Sequence, residues 1–330
     1  MDFRDRRGLK DVAGNAIANA SYDPKKLVFV YVGVTAAVML LVTIANYILQ
    51  SQIAGTGGLG GLAMRSLLET AIQVLQLAAN LLLPFWTFGY MHCMLRLSRG
   101  QHFGLDGLLE GFRNFGPVLR LTLLRSGYFV MLAFLCVYPS MVIFLWTPLS
   151  APFQAIIEPF AAQGAMDLVL DDATLAAATE ALTPMLLIYG ILFALIAGPK
   201  FYSYRMADYC LMDDPKAGAL SAIRHSNAML HKNRLELLKL DLHFWWFYLL
   251  DGLAMALCYG DALLALMGIT LPVSAEVSYF LFYVLYLVVQ LGLYVWARNR
   301  VEATYCVGYN CLRRDLDDKI RQIMAQNQQL

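Results

Sequence analysis

Four polar residues, Glu69, Gln73, Gln76 and Asn80, recur four, three and four positions apart within the apolar run 66–92, so on a helix they form one stripe. A carboxylate, Asp251, and an amide, Gln290, stand inside two further apolar runs. A polar group in hydrocarbon costs free energy unless it is paired or faces water, and an ionisable one marks a substrate path, an ion path or a helix contact. Counting residues inward puts Asn80, Asp251 and Gln290 at comparable depth, which predicts a shared polar layer. The plainer reading is that the amides join helices through hydrogen bonds worth about 1 kcal/mol or less each. Both readings stay open for these six residues.

A second group is basic. In "GPKFYSYRMADYCLMDDP", residues 198–215, Lys200 and Arg205 sit among Phe201, Tyr202, Tyr204 and Tyr209. Aromatic rings suit the headgroup layer, and long basic side chains reach lipid phosphates from there. The reading is a helix bent at Gly198-Pro199 that continues into that layer, with Asp208 three residues beyond Arg205 and able to pair with it. Arg224 and Lys232 fall on the polar arc of 216–232, opposite an apolar arc of Ala219, Ala222, Ile223, Ser226, Met229 and Leu230. Asp213 or Asp214 as N-cap and Pro215 at the first helical position mark its start. Lys200, Arg205, Arg224 and Lys232 are therefore candidate ligands for anionic lipid headgroups.

Other chemistry is not signalled. "GTGGLG", residues 55–60, fits a dinucleotide fingerprint by letter but joins two apolar runs instead of a strand and a helix, so it reads as a turn. No HExxH, GxSxG, P-loop or EF-hand pattern occurs and the five histidines are scattered. The six cysteines form no CxxC pair and read as reduced packing residues. No cofactor, metal or nucleic-acid partner is expected.

The elements that must position these residues follow from composition. With 59% apolar residues and a mean hydropathy of +0.56, the bilayer is the expected solvent. Crossing about 30 Å of hydrocarbon takes roughly 20 apolar residues in a helix. Six stretches qualify, at 27–49, 66–92, 123–147, 184–206, 243–267 and 277–297. The fold class is all-α: a polytopic membrane bundle of about six transmembrane helices with two interfacial amphipathic helices, 216–232 and a shorter 105–115. Residues 105–115 have Leu105, Leu108, Leu109, Phe112 and Phe115 on the apolar side. The two segments occupy equivalent places after proline-containing spans, which suggests a parallel repeat.

Orientation follows from charge. The net charge is only +1, yet 24 of the 25 basic residues lie before the first span, at 96–125, at 200–239 or from Arg298 onward, Arg65 being the exception. The positive-inside rule places both termini and two internal loops in the cytoplasm. Segment 148–183 holds five acidic residues and no Lys or Arg, and reads as an external loop with a short helix starting at Asp172. Residues 1–26 form a basic cytoplasmic segment without an apolar core, so the first span serves as its own signal anchor. Residues 27–306 form the membrane domain and 307–330 a cytoplasmic tail.

The stretch Tyr202-Ser203-Tyr204, with Ala207 and Tyr209, Asp213-Asp214-Pro215, and Ala222, Ile223 and Ser226, resembles the bacterial integral-membrane family catalogued as domain of unknown function 975. The resemblance is specific over about 50 residues. Its usual proline-glycine turn reads here as Gly198-Pro199-Lys200, and its Gly-Trp pair as Trp245-Trp246. It implies residence in a bacterial cytoplasmic membrane and a multi-pass topology, and it carries no reaction. The function expected is a non-enzymatic component engaging anionic lipid or a partner protein. The rivals are a small-solute or peptide transporter using the polar stripe with Asp251, and a lipid-modifying enzyme, for which no nucleophile or metal constellation is present.

Single cysteines introduced at 165–175 should label from outside intact cells, and those at 216–232 should be protected. External labelling at position 216 overturns this topology.

Overall fold

The computed structural model describes residues 3–54, 59–163, 172–260, 263–264 and 275–327. Most of "GTGGLG" and the link around Pro272 lie outside the described residues. Among the described residues there is no strand. This is the outcome an apolar solvent favours, because a helix satisfies its own N–H and C=O groups.

In chain order the helices are α1 (Arg6–Ala18), α2 (Pro24–Ala54), α3 (Leu59–Ser98), α4 (Glu110–Arg113), α5 (Phe115–Trp146), α6 (Ala151–Gln163), α7 (Asp172–Ala181), α8 (Thr183–Tyr204), α9 (Ala207–Asp213) and α10 (Gly218–Leu230). They continue with α11 (Arg234–His243), α12 (Trp245–Ala256), α13 (Ala275–Leu293) and α14 (Asn299–Asn327). A π-helical turn, Tyr294–Arg298, joins the last two. Several starts are written locally: Asp5 caps α1 through the Gly8 N–H at 3.0 Å, and Asp23 accepts from Lys25 N at 2.9 Å beside Pro24.

Among the described residues, five helical stretches are long and apolar enough to cross a membrane: Pro24–Leu49, Ser66–Ser98, Phe115–Trp146, Ala176–Asp213 and Val277–Gln322. The described part of 243–267 differs from the single long helix expected there. It holds α12, whose 12 residues fall short of the roughly 20 a straight crossing needs, and a 3₁₀ turn at Leu257–Tyr259.

The chain divides into two compact units, one of Met1–Leu121 with Met206–Leu330 and one of Thr122–Arg205. In the first, α14 packs against α1, α3 and α10. Its residues Val301–Val307, Tyr309 and Leu312 are buried, so the segment expected to open a tail at 307 begins inside the core. The N-terminal basic segment is likewise folded: Leu9 and Ala13 of α1 are buried and Arg6 reaches Glu236 at 3.8 Å. A hydrogen bond from Lys239 is the main cause holding the Glu236 carboxyl below its ordinary range. In the second unit, Tyr128 of α5 meets Tyr204 of α8 edge to face at 5.4 Å. Phe134, Tyr138 and Trp146 there are strongly exposed, as a lipid-facing surface requires.

The segment expected as a short amphipathic helix at 105–115 is instead a 3₁₀ turn, Leu105–Leu109, followed by the single turn α4. Its backbone lies directly on α3. A Cβ on Gly89 would stand 1.9 Å from the Leu108 carbonyl oxygen, and one on Gly111 would stand 1.9 Å from that of Phe85. Glycines that admit such contact are poor helix formers, which favours the tighter 3₁₀ path. Phe112 and Phe115, read as part of the segment's apolar side, stack on Phe85 at 5.7 and 4.6 Å while staying partly exposed.

Helix α8 runs through Pro199 and ends at Tyr204. The helical continuation expected beyond it is broken by a turn at Arg205–Met206 before α9. The expected repeat is correspondingly unequal, since 105–114 holds one short turn of helix where 205–230 holds α9 and α10.

Gly89→Ala should lower the unfolding free energy in detergent by at least about 2 kcal/mol, because the obstacle is backbone. Gly116→Ala, with nothing within 4 Å of the new Cβ, should leave the thermal midpoint unchanged within error. Equal midpoints for the two variants would count against the contact.

Candidate functional site

Helix α10 decides where the basic candidates stand. Asp214, not Asp213, provides its start: Oδ1 accepts from Lys216 N and Ala217 N, both at 3.2 Å, over a 3₁₀ turn Pro215–Ala217. Gly218 then adopts φ +80°, a left-handed value that suits glycine. The apolar arc read from the sequence turns into the protein, with Ala219, Ala222, Ser226, Met229 and Leu230 buried. Ala219 and Ala222 share a cluster with Phe85 and Phe88 of α3 and with Ala207 and Leu211 of α9. Amphipathicity is thus used for packing within the chain, and the polar arc with Arg224 faces outward. Arg224 and Lys232 line one cavity of about 490 Å³. Lys200, exposed, and Arg205, half-buried, belong to the other unit.

Asp213 is occupied by a different task. Arg99 grips its carboxylate with both terminal nitrogens, at 2.6 and 2.9 Å. Tyr309 donates to Oδ2 at 2.6 Å, and Arg313 forms an ion pair with the same oxygen. Arg99 is held in turn, because Nε donates to Asn310 Oδ1 at 3.0 Å and Asn310 donates to Ser98 Oγ at 3.0 Å. Its position is set by the end of α3: Gly100 has φ +65°, Gln101 N bonds to Arg96 O at 2.9 Å and Gly100 N to Leu97 O at 3.0 Å. That pair of bonds is the Schellman helix stop.

A buried polar chain extends from this cluster along α14. Tyr209 stacks on Tyr309 at 5.3 Å and donates to Glu302, which is only 7% exposed. The aromatic-belt role expected of Tyr209 is therefore replaced by one in the core. Tyr90 donates to Asn299 Oδ1 at 3.5 Å, and Tyr31 stacks on Tyr90 at 4.5 Å. Arg298 lies 5.1 Å from the Tyr294 ring centre, and Tyr294 donates to Asp251 Oδ2 at 3.5 Å. Asp251 Oδ1 is buried without a hydrogen-bond partner, as is Arg298 Nε.

The polar residues picked out inside the apolar runs are brought together only in part. Gln290 and Asp251 both lie near Tyr286 of α13, so those two share a neighbourhood. Glu69, Gln73, Gln76 and Asn80 all lie on the exposed side of α3. No hydrogen bond joins Gln73, Gln76 or Asn80 to Asp251 among the described residues. Sequence reading missed Arg99, Glu302, Tyr309 and Arg313, and read Asp213 only as a possible cap. The 294, 298, 302, 309 and 313 spacing of Tyr, Arg, Glu, Tyr and Arg would have shown one helical face.

With this geometry in place, comparison with known proteins is decisive on one point. The family described as Protein of unknown function (DUF975) matches residues 4–287. The chain belongs to that family. Neither a curated protein nor a solved structure matches it. In this DUF975 protein the family match covers α9, α10 and the whole Asp213 side of the cluster, and stops short of its α14 partners. Among the described residues no group of His, Cys, Asp and Glu suits a metal ion, and all six cysteines are free.

Asp213→Asn should cost about 3 kcal/mol, since it leaves two guanidinium groups facing a neutral, nearly buried partner. Arg313→Gln should cost less, its side chain being 42% exposed. Tyr309→Phe should cost about 1 kcal/mol. Unfolding midpoints in detergent check the order, and an unchanged midpoint for Asp213→Asn would remove the cluster from the stability of the fold.

Proposed function

We propose that this DUF975 protein is a six-crossing, non-enzymatic membrane component whose basic cytoplasmic face engages anionic lipid headgroups through Lys200, Arg205, Arg224 and Lys232. The observation that carries the reading is the orientation of α10. Its apolar arc is used within the protein, so its exposed charges are not there to flank a lipid-buried face. Arg224 and Lys232 form no ion pair among the described residues and meet at one cavity, an arrangement that attracts an anion.

Six crossings fit the five long stretches plus the apolar run 243–267, which contains α12. An even number returns the chain to its starting side, as the distribution of basic residues requires. Each basic residue near an anionic surface contributes about 1 kcal/mol.

Lipid copurified with the wild-type protein should be enriched in anionic species. Changing Lys200, Arg205 and Arg224 together to Gln should reduce that enrichment while cysteine labelling shows the same topology. A triple variant with wild-type lipid and wild-type topology leaves these charges an orienting role alone, and the proposal fails.

A further inference from the structure

The cavity between α10 and α14 has a more specific chemistry than a basic surface. Its volume of about 490 Å³ falls within the range of small-molecule sites and far exceeds one phosphate ion. Arg224, Asn227 and His231 stand at positions i, i+3 and i+7 and so line it from one face of α10. Lys232 closes it from the following turn, and Leu316 and Lys319 line it from α14. Among the described residues no carboxylate lines it. Arg224, Lys232 and Lys319 form no ion pair among the described residues, which leaves three fixed positive charges and their N–H donors uncommitted.

Two details remove what would repel an anion here. The C-terminal carbonyls of α10 are the negative end of its dipole. They are covered, because Asn233 donates its backbone N–H to Leu230 O at 3.0 Å and its side-chain amide to Met229 O at 3.1 Å. Arg234 donates to Asn227 Oδ1 at 3.0 Å, which occupies the acceptor of that amide and leaves its NH₂ as the free end.

We propose that this cavity binds a phosphomonoester group. A phosphomonoester carries close to two negative charges and three terminal oxygens, matching two or three cations and a fork of guanidinium donors. A phosphodiester, with one charge, would leave the remaining cations unneutralised. The apolar lining of Ala228, Met229 and Leu316 accommodates the group that bears the phosphate, a lipid glycerol or a soluble metabolite. The inference rests on the anionic-headgroup reading and narrows it to one headgroup chemistry.

The test titrates full-length protein in neutral detergent with dioctanoyl phosphatidic acid, dioctanoyl phosphatidylglycerol and glycerol 3-phosphate, by isothermal calorimetry. Phosphatidic acid should bind at least about fivefold tighter than phosphatidylglycerol, and Lys319→Gln and Lys232→Gln should each weaken it about fivefold, the equivalent of one surface charge. Lys319→Arg should restore binding, and Lys216→Gln, whose side chain lies outside the cavity, should have no effect. Glycerol 3-phosphate binding that depends on Lys319 supports a soluble source; dependence confined to phosphatidic acid supports a lipid source. Unliganded midpoints equal to wild type guard against misfolding. If both lipids bind equally and depend on Arg224, the phosphomonoester site falls and the headgroup reading survives. If neither lipid binds the wild type, both fall.

Discussion

The carboxylate of Asp213 fixes where three helices meet. It accepts a two-pronged grip from Arg99 at the end of α3, terminates α9, and takes Tyr309 and Arg313 from α14. A charge that is nearly buried is tolerated only when its oxygens are fully engaged, so each partner constrains the others. The Schellman stop at Gly100 matters for this reason, since it turns the chain away directly after Arg99 and leaves the guanidinium at the helix end. With Asp213 committed, capping of the next element passes to Asp214, and α10 leaves from a defined point.

From that anchoring follows the use made of α10. Two small residues, Ala219 and Ala222, let it approach α3 and α9 closely, and the cluster with Phe85 and Phe88 closes over them. The same phenylalanine region receives the 105–113 segment through the glycine contacts on α3, so Phe85 joins two packing events. Dense packing of this kind leaves little slack. The polar arc of α10 is left outside this packing, and Arg224 lines the cavity beside α14.

Helix α14 carries two electrostatic environments along one length. Toward α9 it contributes Tyr309 and Arg313 to an arrangement in which charge is neutralised and satisfied. Nearly two turns beyond Arg313, Lys319 joins Arg224 and Lys232 around a cavity, none of the three in an ion pair among the described residues. The contrast is electrostatic: a satisfied ion pair holds helices together, whereas cations gathered around an open volume create a positive potential there. Deeper along the same helix axis, Glu302 and Arg298 continue the buried polar line toward Asp251.

Much of this was legible before folding. Apolar runs of sufficient length, the segregation of Lys and Arg, the start of α7 at Asp172 and the amphipathic period of 216–232 are sums over neighbouring residues, and a helix is built from neighbouring residues. The family followed from a contiguous stretch for the same reason. The direction in which α10 turns its apolar arc depends on α3 and α9, more than a hundred residues apart in the chain. Asp213 looked like a cap and proved to be a clasp, because its three cationic and hydroxyl partners come from positions 99, 309 and 313. Residues 307–312 looked like the start of a cytoplasmic tail, yet Val307, Tyr309 and Leu312 are buried, since α14 packs on α1 and α3. Periodicity states that a helix has two faces, and only the packing of distant segments decides which face meets protein.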